Sequence, residues 1–201
     1  TTKIMTLLVT LENADLEGTV TVSSYAASMP DVQLNIREGE RYRLKDLCYS
    51  MMLESHNDAA AAIAEHVGGS VEGFASMMNQ KARDLGCYHA YFITPNGLDA
   101  AGHQTTAAEL GRIAAYAAKD EIFRKIIGTR SYDFSNTEGK NYHADNADAF
   151  LDQMEGAFGI KTGFTGEAGY CFVGALEDNG RTFISVVLGS GWPPNKNYKW
   201  E

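Results

Sequence analysis

The sequence predicts an α+β fold, a helical lobe beside an antiparallel sheet that helices cover. Three observations predict it. Helical periodicities occupy the middle of the chain, with apolar residues recurring every third or fourth position. After Gly159 the character changes, and residues 170–176, the turn Glu177-Asp178-Asn179-Gly180 and residues 181–188 read as a β-hairpin. No repeat, low-complexity segment or linker divides the 201 residues, which suit one large domain or two small lobes.

The elements follow in order. Ile4, Leu7, Leu8 and Leu11 make one helical face, which the stretch 13–18 ends. Thr19-Val20-Thr21-Val22 alternates as a short strand, residues 23–39 are irregular, and Arg41-Tyr42-Arg43-Leu44 is a second short strand. Leu44, Leu47, Cys48, Met51 and Met52 mark a helix. Ser55-His56-Asn57-Asp58 interrupts it, and residues 59–67 form an Ala-rich helix that Gly68-Gly69 ends. Such a surface packs closely on all sides, so this helix is expected to be central and buried.

Ser70 opens another helix, with Val71, Phe74, Met77, Met78 and Ala82 on one face. Residues 91–94 lead into the turn Pro95-Asn96-Gly97. Thr106 and Glu109 form a capping box for a helix through Leu110, Ile113, Ala114 and Ala117. A short helix over 121–127 follows, then short strands over 131–134 and 141–143 around Thr137-Glu138-Gly139-Lys140.

Composition excludes some functions. The net charge of −9, without a Lys/Arg-rich run, argues against a nucleic-acid partner, which needs a basic stripe. No apolar run approaches the roughly 20 residues of a membrane span. The chain begins at Thr1-Thr2-Lys3 without an initiator methionine and reads as cut from something longer. Cys48, Cys87 and Cys171 show neither a disulfide framework nor metal-ligand spacing, and read as buried thiols. No cofactor or metal is expected.

Three stretches carry candidate chemistry. In Gly159-Ile160-Lys161-Thr162-Gly163, neighbours on a strand point to opposite faces, so Lys161 can enter a cleft while the strand offers backbone N–H groups along its edge. Gly163 lets something lie close against that strand. The arrangement suits a ligand with a carbonyl and a carboxylate, although the tripeptide also fits an ordinary strand end. Ser55-His56-Asn57 lies between two helices, where a loop presents side chains to a cleft; the competing reading is that Ser55 and Asp58 cap the following helix. Lys3 opens an apolar helix. A lysine there is either simply solvated or partly desolvated, with a lowered pKa that lets it act as a base.

Thr1-Thr2-Lys3, Ser55-x-Asn57 and Lys161-Thr162-Gly163 resemble the S-x-x-K, S-x-N and K-T-G motifs of the penicillin-interacting serine enzymes. The likeness is greatest to serine-type D-alanyl-D-alanine carboxypeptidases, the low-molecular-mass penicillin-binding proteins. It extends to Arg37-Glu38-Gly39-Glu40, Asn57-Asp58-Ala59-Ala60, Glu65 to Ser70, Pro95-Asn96-Gly97-Leu98-Asp99, Gly163 to Phe172 and Val186 to Gly189. Each motif is weak alone, but three in order, roughly fifty and then a hundred residues apart, are specific. Two departures stand out. The position of the family's nucleophilic serine precedes Thr1, as do the strands the family places before it. His56 stands where the family has a small residue, and would narrow the cleft or add a polar contact.

The resemblance implies a β-lactamase/transpeptidase-like fold in which residues of about 20–155 form the helical lobe and the remainder the sheet lobe. It implies hydrolysis of the terminal D-alanine from peptidoglycan stem peptides through an acyl-enzyme, with β-lactams acylating the same serine. Lys3 would be the general base, neutral beside Lys161. Ser55 would relay the proton to the leaving amine. Asn57 would orient Lys3 and the substrate amide. Lys161 and Thr162, with Gly163, Phe164 and Thr165 along the strand and Lys196 in the tail, would bind substrate, and the Phe164 N–H would be an oxyanion donor. The implied location is extracytoplasmic. A β-lactamase is the closest rival, although no Glu-x-x-Leu-Asn segment lies between Asn57 and Lys161. A cell-wall-binding module without a nucleophile and an N-terminal-threonine hydrolase at Thr1 are the others.

Overall fold

The computed structural model describes residues 1–191. Helix α1 (Lys3–Asn13) is followed by β1 (Thr19–Thr21), α2 (Ser24–Ala27) and β2 (Arg41–Arg43). Then come α3 (Leu44–Leu53), α4 (Asn57–Gly68), α5 (Val71–Asp84), α6 (Ala107–Ala117) and α7 (Glu121–Gly128). The hairpin β3 (Ser131–Ser135) and β4 (Asn141–Asp145), the short α8 (Phe150–Gln153) and strands β5 (Ala157–Thr165), β6 (Gly169–Asp178) and β7 (Arg181–Ser190) complete the order. No described helix is long and apolar enough to cross a membrane.

Helix α4 is the centre, as its alanine content predicts. Asn57 through Ala64 are all buried, and α1, α2, α3 and α5 pack around it. Four successive alanines leave no side-chain bulk, so neighbours approach on every side. Gly69 ends the helix in the left-handed conformation, φ 72°. The core runs continuously from this bundle, through Phe123, Ile126 and Ile127 of α7, to Ile160, Val173 and Ala175 of the sheet.

Among the described residues the sheet is antiparallel in the order β5-β6-β7, so β5 is an outer strand there. Lys161 pairs with Val173, and Thr162 with Phe172. Helix α6 packs on β7, while α7 and α8 pack on β5. The two shorter pairs, β1 with β2 and β3 with β4, are also antiparallel. An aromatic row joins β3 and β4 to the bundle: Tyr49 stacks on Tyr132 at 3.8 Å, and Phe134 on Tyr142 at 5.1 Å.

Several elements differ from the sequence reading. Helices α2 and α8 have four residues each, too short to show a helical period. Helix α4 starts at Asn57, and Ser55 does not cap it. Ser55 has φ 68°, the N-cap position is His56, and no side chain caps there. The Asp58 carboxylate instead accepts from Leu34 N at 3.0 Å, Ile36 N at 3.2 Å and Ala59 N at 2.8 Å. It fastens an otherwise irregular loop to the helix. The three cysteines are free and buried, as expected.

Candidate active site

The first turn of α1 presents Lys3 to the interior, where it is 4% exposed. Its side-chain nitrogen donates to Asn57 Oδ1 at 2.8 Å and to the Asn96 carbonyl at 2.7 Å. Burial pushes its pKa well below the ordinary lysine value, the charge of Lys161 pushes it further, and Asp58 pulls weakly the other way. A neutral amine has two N–H bonds and one lone pair. Both N–H bonds have acceptors here, so the lone pair is what remains for a hydroxyl proton.

Asn57 is fixed on all sides. Its side-chain N–H groups donate to the carbonyls of Pro30 at 3.2 Å and Asp31 at 3.0 Å, and its backbone N–H donates to Val32. These acceptors orient the amide so that its oxygen faces Lys3. The geometry suits orienting Lys3. Contact with a substrate amide would require Asn57 to release a carbonyl. Ser55, two residues earlier, is half-buried, and its hydroxyl makes no hydrogen bond among the described residues. Its left-handed backbone is a costly conformation for a serine, of a kind that gathers at functional sites. Between them, His56 is buried and faces the end of α3. Its Nε2 lies 3.2 Å from Glu54 Oε2 and its Nδ1 2.7 Å from Ser50 Oγ. Burial lowers its pKa, so Nε2–H donates to the carboxylate and Nδ1 accepts from the serine.

Strand β5 brings the third set. Lys161 is 3% exposed, and burial lowers its pKa to about 8 against the pull of Asp148. Thr162, on the other face, is half-buried. Gly163 has the close neighbour its sequence predicts: a Cβ there would meet the Thr1 backbone nitrogen at 2.7 Å. The start of α1 therefore lies directly against the strand. Phe164 packs on Tyr170, ring centroids 4.6 Å apart. The Thr165 hydroxyl donates to Asp99 Oδ1 at 2.6 Å and accepts from Ala168 N at 3.1 Å, which commits it to the protein. Lys196 lies outside the described residues.

Sequence reasoning missed the loop that closes the site. Residues 94–99 supply the second acceptor for Lys3, and Thr6 Oγ1 donates to Pro95 O at 2.6 Å. Asp99 accepts from both Thr165 and Glu167 N, at 3.2 Å for the latter, and so ties this loop to the end of β5. His103 Nδ1 accepts from Ile93 N at 3.1 Å, leaving Nε2–H to donate to Thr2 Oγ1 at 2.9 Å. The turn Pro95-Asn96-Gly97 and the family likeness of residues 95–99 signalled this loop, but neither names a backbone carbonyl as a ligand. A cavity of about 780 Å³ opens alongside, lined by Thr1, Thr2, His103, Gly163, Phe164 and Thr165 among others. Its size suits a drug-sized ligand. Lys3, Ser55 and Lys161 do not line it, so it extends the cleft beyond the amines. Among the described residues no group of His, Cys, Asp and Glu could hold a metal ion.

The chain has relatives among known proteins. D-alanyl-D-alanine carboxypeptidase DacF of Bacillus subtilis is 35% identical over 98% of this chain, which spans 52% of that protein. A D-alanyl-D-alanine carboxypeptidase of Streptomyces is 33% identical over 94% of this chain and 71% of its own length. The crystal structure of a DD-transpeptidase from Streptomyces superposes with a TM-score of 0.86 at 31% identity, over 93% of this chain and 78% of that one. A penicillin-binding protein homologue from Mycobacterium tuberculosis gives 0.87 at 31% identity, over 93% and 71%. The profile of the D-alanyl-D-alanine carboxypeptidase family matches residues 1–191. A buried lysine on the first helix, a Ser-x-Asn loop and a Lys-Thr-Gly strand thus meet within a chain that belongs to the D-alanyl-D-alanine carboxypeptidase family.

Proposed function

We propose that the chain is the catalytic portion of a serine-type D-Ala-D-Ala carboxypeptidase acting on peptidoglycan stem peptides. The observation that carries the reading is Lys3: buried, lowered in pKa, and with two acceptors that use both N–H bonds of its neutral form. The nucleophile of the proposal is a serine immediately before Thr1. Its hydroxyl proton passes to the Lys3 lone pair as its oxygen attacks the carbonyl of the penultimate D-alanine. The tetrahedral oxyanion collapses, the C–N bond breaks, and the leaving D-alanine takes a proton by way of Ser55. Water then releases the acyl group. Lys161, about 8 in pKa and so cationic at neutral pH, attracts the terminal carboxylate, with Thr162 beside it. Gly163 and Phe164 lie along the strand on which an extended peptide would add as a further strand, and the Phe164 N–H is assigned to the oxyanion. β-Lactams, which present a carbonyl and a carboxylate at similar spacing, acylate the same serine. Such a substrate places the enzyme outside the cytoplasm, in the bacterial envelope.

The test is intact mass before and after benzylpenicillin, on the chain extended to include the residue before Thr1. A stable gain of one penicillin on a serine there is the expected result, and its rate should fall above about pH 8 as Lys161 loses its proton. Rapid loss of the antibiotic without an adduct would replace this reading with a β-lactamase. A residue other than serine, with neither adduct nor turnover, would leave a cell-wall-binding module. The DD-transpeptidase among the similar structures favours a second acceptor besides water. Adding a free amino acid amine and looking for aminolysis product separates the two outcomes.

A further inference from the structure

Asp148 has no role in the mechanism above, yet it is 4% exposed and its Oδ2 is the one buried side-chain polar atom among the described residues without a hydrogen bond. Its Oδ1 accepts only from Phe150 N, at 3.2 Å. A buried carboxylate with an unsatisfied oxygen is expensive unless an opposite charge compensates it. The segment holding it is pinned at every step. Asn146 N donates to Arg130 O at 2.7 Å, and Asn146 Nδ2 donates to the carbonyls of Ile127 and Thr129, each at 2.9 Å. Ala147 N donates to Leu53 O at 3.0 Å, and Asp148 N to Asn146 Oδ1 at 3.0 Å. Leu53 ends the helix just before the Ser55 loop, and α8, which follows Asp148, packs on β5. The segment that bears the carboxyl group is thus held between the Ser55 loop and β5, the strand that carries Lys161.

We propose that Asp148 is a positioning residue, the buried counter-charge that keeps Lys161 cationic for a carboxylate ligand while Lys3, in the same cleft, stays neutral. The inference rests on the reading of Lys161 as the carboxylate-binding cation. Its logic is a division of labour between two buried amines: one must be a base, the other a cation, and burial alone would neutralise both. The groups that act on this pair come from every neighbouring element. Asp148, from the segment before α8, favours the charge on Lys161; burial raises the Asp148 pKa, and the Phe150 N–H and the Lys161 charge pull it back; Lys161 in turn disfavours charge on Lys3. Asp58 of α4 favours the charge on Lys3. His56, from the loop between α3 and α4, feels both lysines. Asp148 is the acidic group that separates Lys161 from Lys3.

The test reads charge directly. In the chain of residues 1–201, the side-chain nitrogen resonance of Lys161, assigned by its loss in Lys161→Met, is followed by NMR against pH. The wild type should titrate near 8. Asp148→Asn and the smaller Asp148→Ser should lower that midpoint by about 1 pH unit or more, the usual effect of losing an adjacent opposite charge, and Asp148→Glu should restore it. A folded neutral variant with an unchanged midpoint overturns the proposal. If neither neutral variant folds, the wild type still decides: the Asp148 carboxyl carbon must shift as Lys161 titrates, and indifference there overturns the proposal equally. Binding of an N-acetylated D-Ala-D-Ala peptide and of its C-terminal amide gives a second readout. Asp148→Asn should weaken the acid by roughly tenfold and leave the amide unchanged, as one lost charge-assisted contact predicts. The NMR result does not depend on turnover, so failure of the penicillin reaction and failure of the counter-charge are separate findings.

Discussion

The Lys3 side-chain nitrogen donates to the Asn57 side-chain oxygen at 2.8 Å across 54 positions of sequence, joining the first turn of α1 to the first turn of α4. Neither residue is placed by its neighbours in sequence. Lys3 is carried inward by an apolar helix face, and Asn57 by a loop that Asp58 and the carbonyls of residues 30–32 hold still. The bond therefore reports the packing of the whole bundle.

Lys3→Arg tests whether the amine works as a base. Arginine keeps donors for Asn57 and Asn96 but cannot be neutral in a protein. Acylation by benzylpenicillin should slow by about 10²–10⁴-fold, the usual contribution of a positioned base. Stopped-flow or quenched mass measurement gives the rate, and a loss smaller than tenfold would remove Lys3 from the proton path.

Gly163→Ala tests the close approach of β5 to Thr1. The added methyl would lie 2.7 Å from the Thr1 backbone nitrogen, so strand and helix start must separate. We expect destabilisation of about 1–3 kcal/mol, typical of overpacking, and a larger proportional loss of acylation than of stability. Chemical unfolding and the acylation rate together check it.

Asp99 and Thr165 should behave as one unit. Their 2.6 Å hydrogen bond joins the 94–99 loop to the end of β5, and both groups are exposed, so each single loss (Asp99→Ala, Thr165→Val) should cost only about 0.5–1.5 kcal/mol. The double variant should cost little more than either alone. If Thr165 instead bound substrate, Thr165→Val would raise KM while Asp99→Ala did not. Equal KM changes in both variants support the latch.

Burial of Lys161 makes stability depend on pH with a definite sign. Its folded pKa of about 8 lies below the ordinary 10.5, so between those values the unfolded chain binds more protons. Stability from this group accordingly rises with pH across that window. Tyr42, Tyr132, Cys48 and Cys87 are raised by burial and act in the opposite sense at alkaline pH. The difference in unfolding free energy between wild type and Lys161→Met isolates the lysine. It should move in favour of the wild type from pH 8 to 10, and a flat difference would show that Lys161 titrates normally.

Much of the fold was legible because its signals are local and periodic. The apolar face of α1, the alanines of α4, the Thr106 N-cap and the turn between β6 and β7 each act within a few residues of themselves, whereas the Glu109 carboxylate, expected to complete a capping box, accepts instead from His89 N at 3.0 Å. The four-residue helices α2 and α8 were not legible, since a single turn carries no period. The capping reading of Ser55 was wrong for a related reason: Asp58 found better partners, Leu34 and Ile36, more than twenty positions away.

The sequence by itself determined the helical core, the terminal hairpin and three motifs whose order is specific although each is common. Only tertiary structure decided which atoms those motifs turn towards. That Lys3 meets a backbone carbonyl of Asn96, that Thr165 is committed to Asp99, and that Asp148 is buried near Lys161 with an oxygen unsatisfied could not be read from residue types. Secondary structure is set by interactions between near neighbours, whereas the charge state of a buried amine is set by what long-range packing removes, water, and by what it brings close.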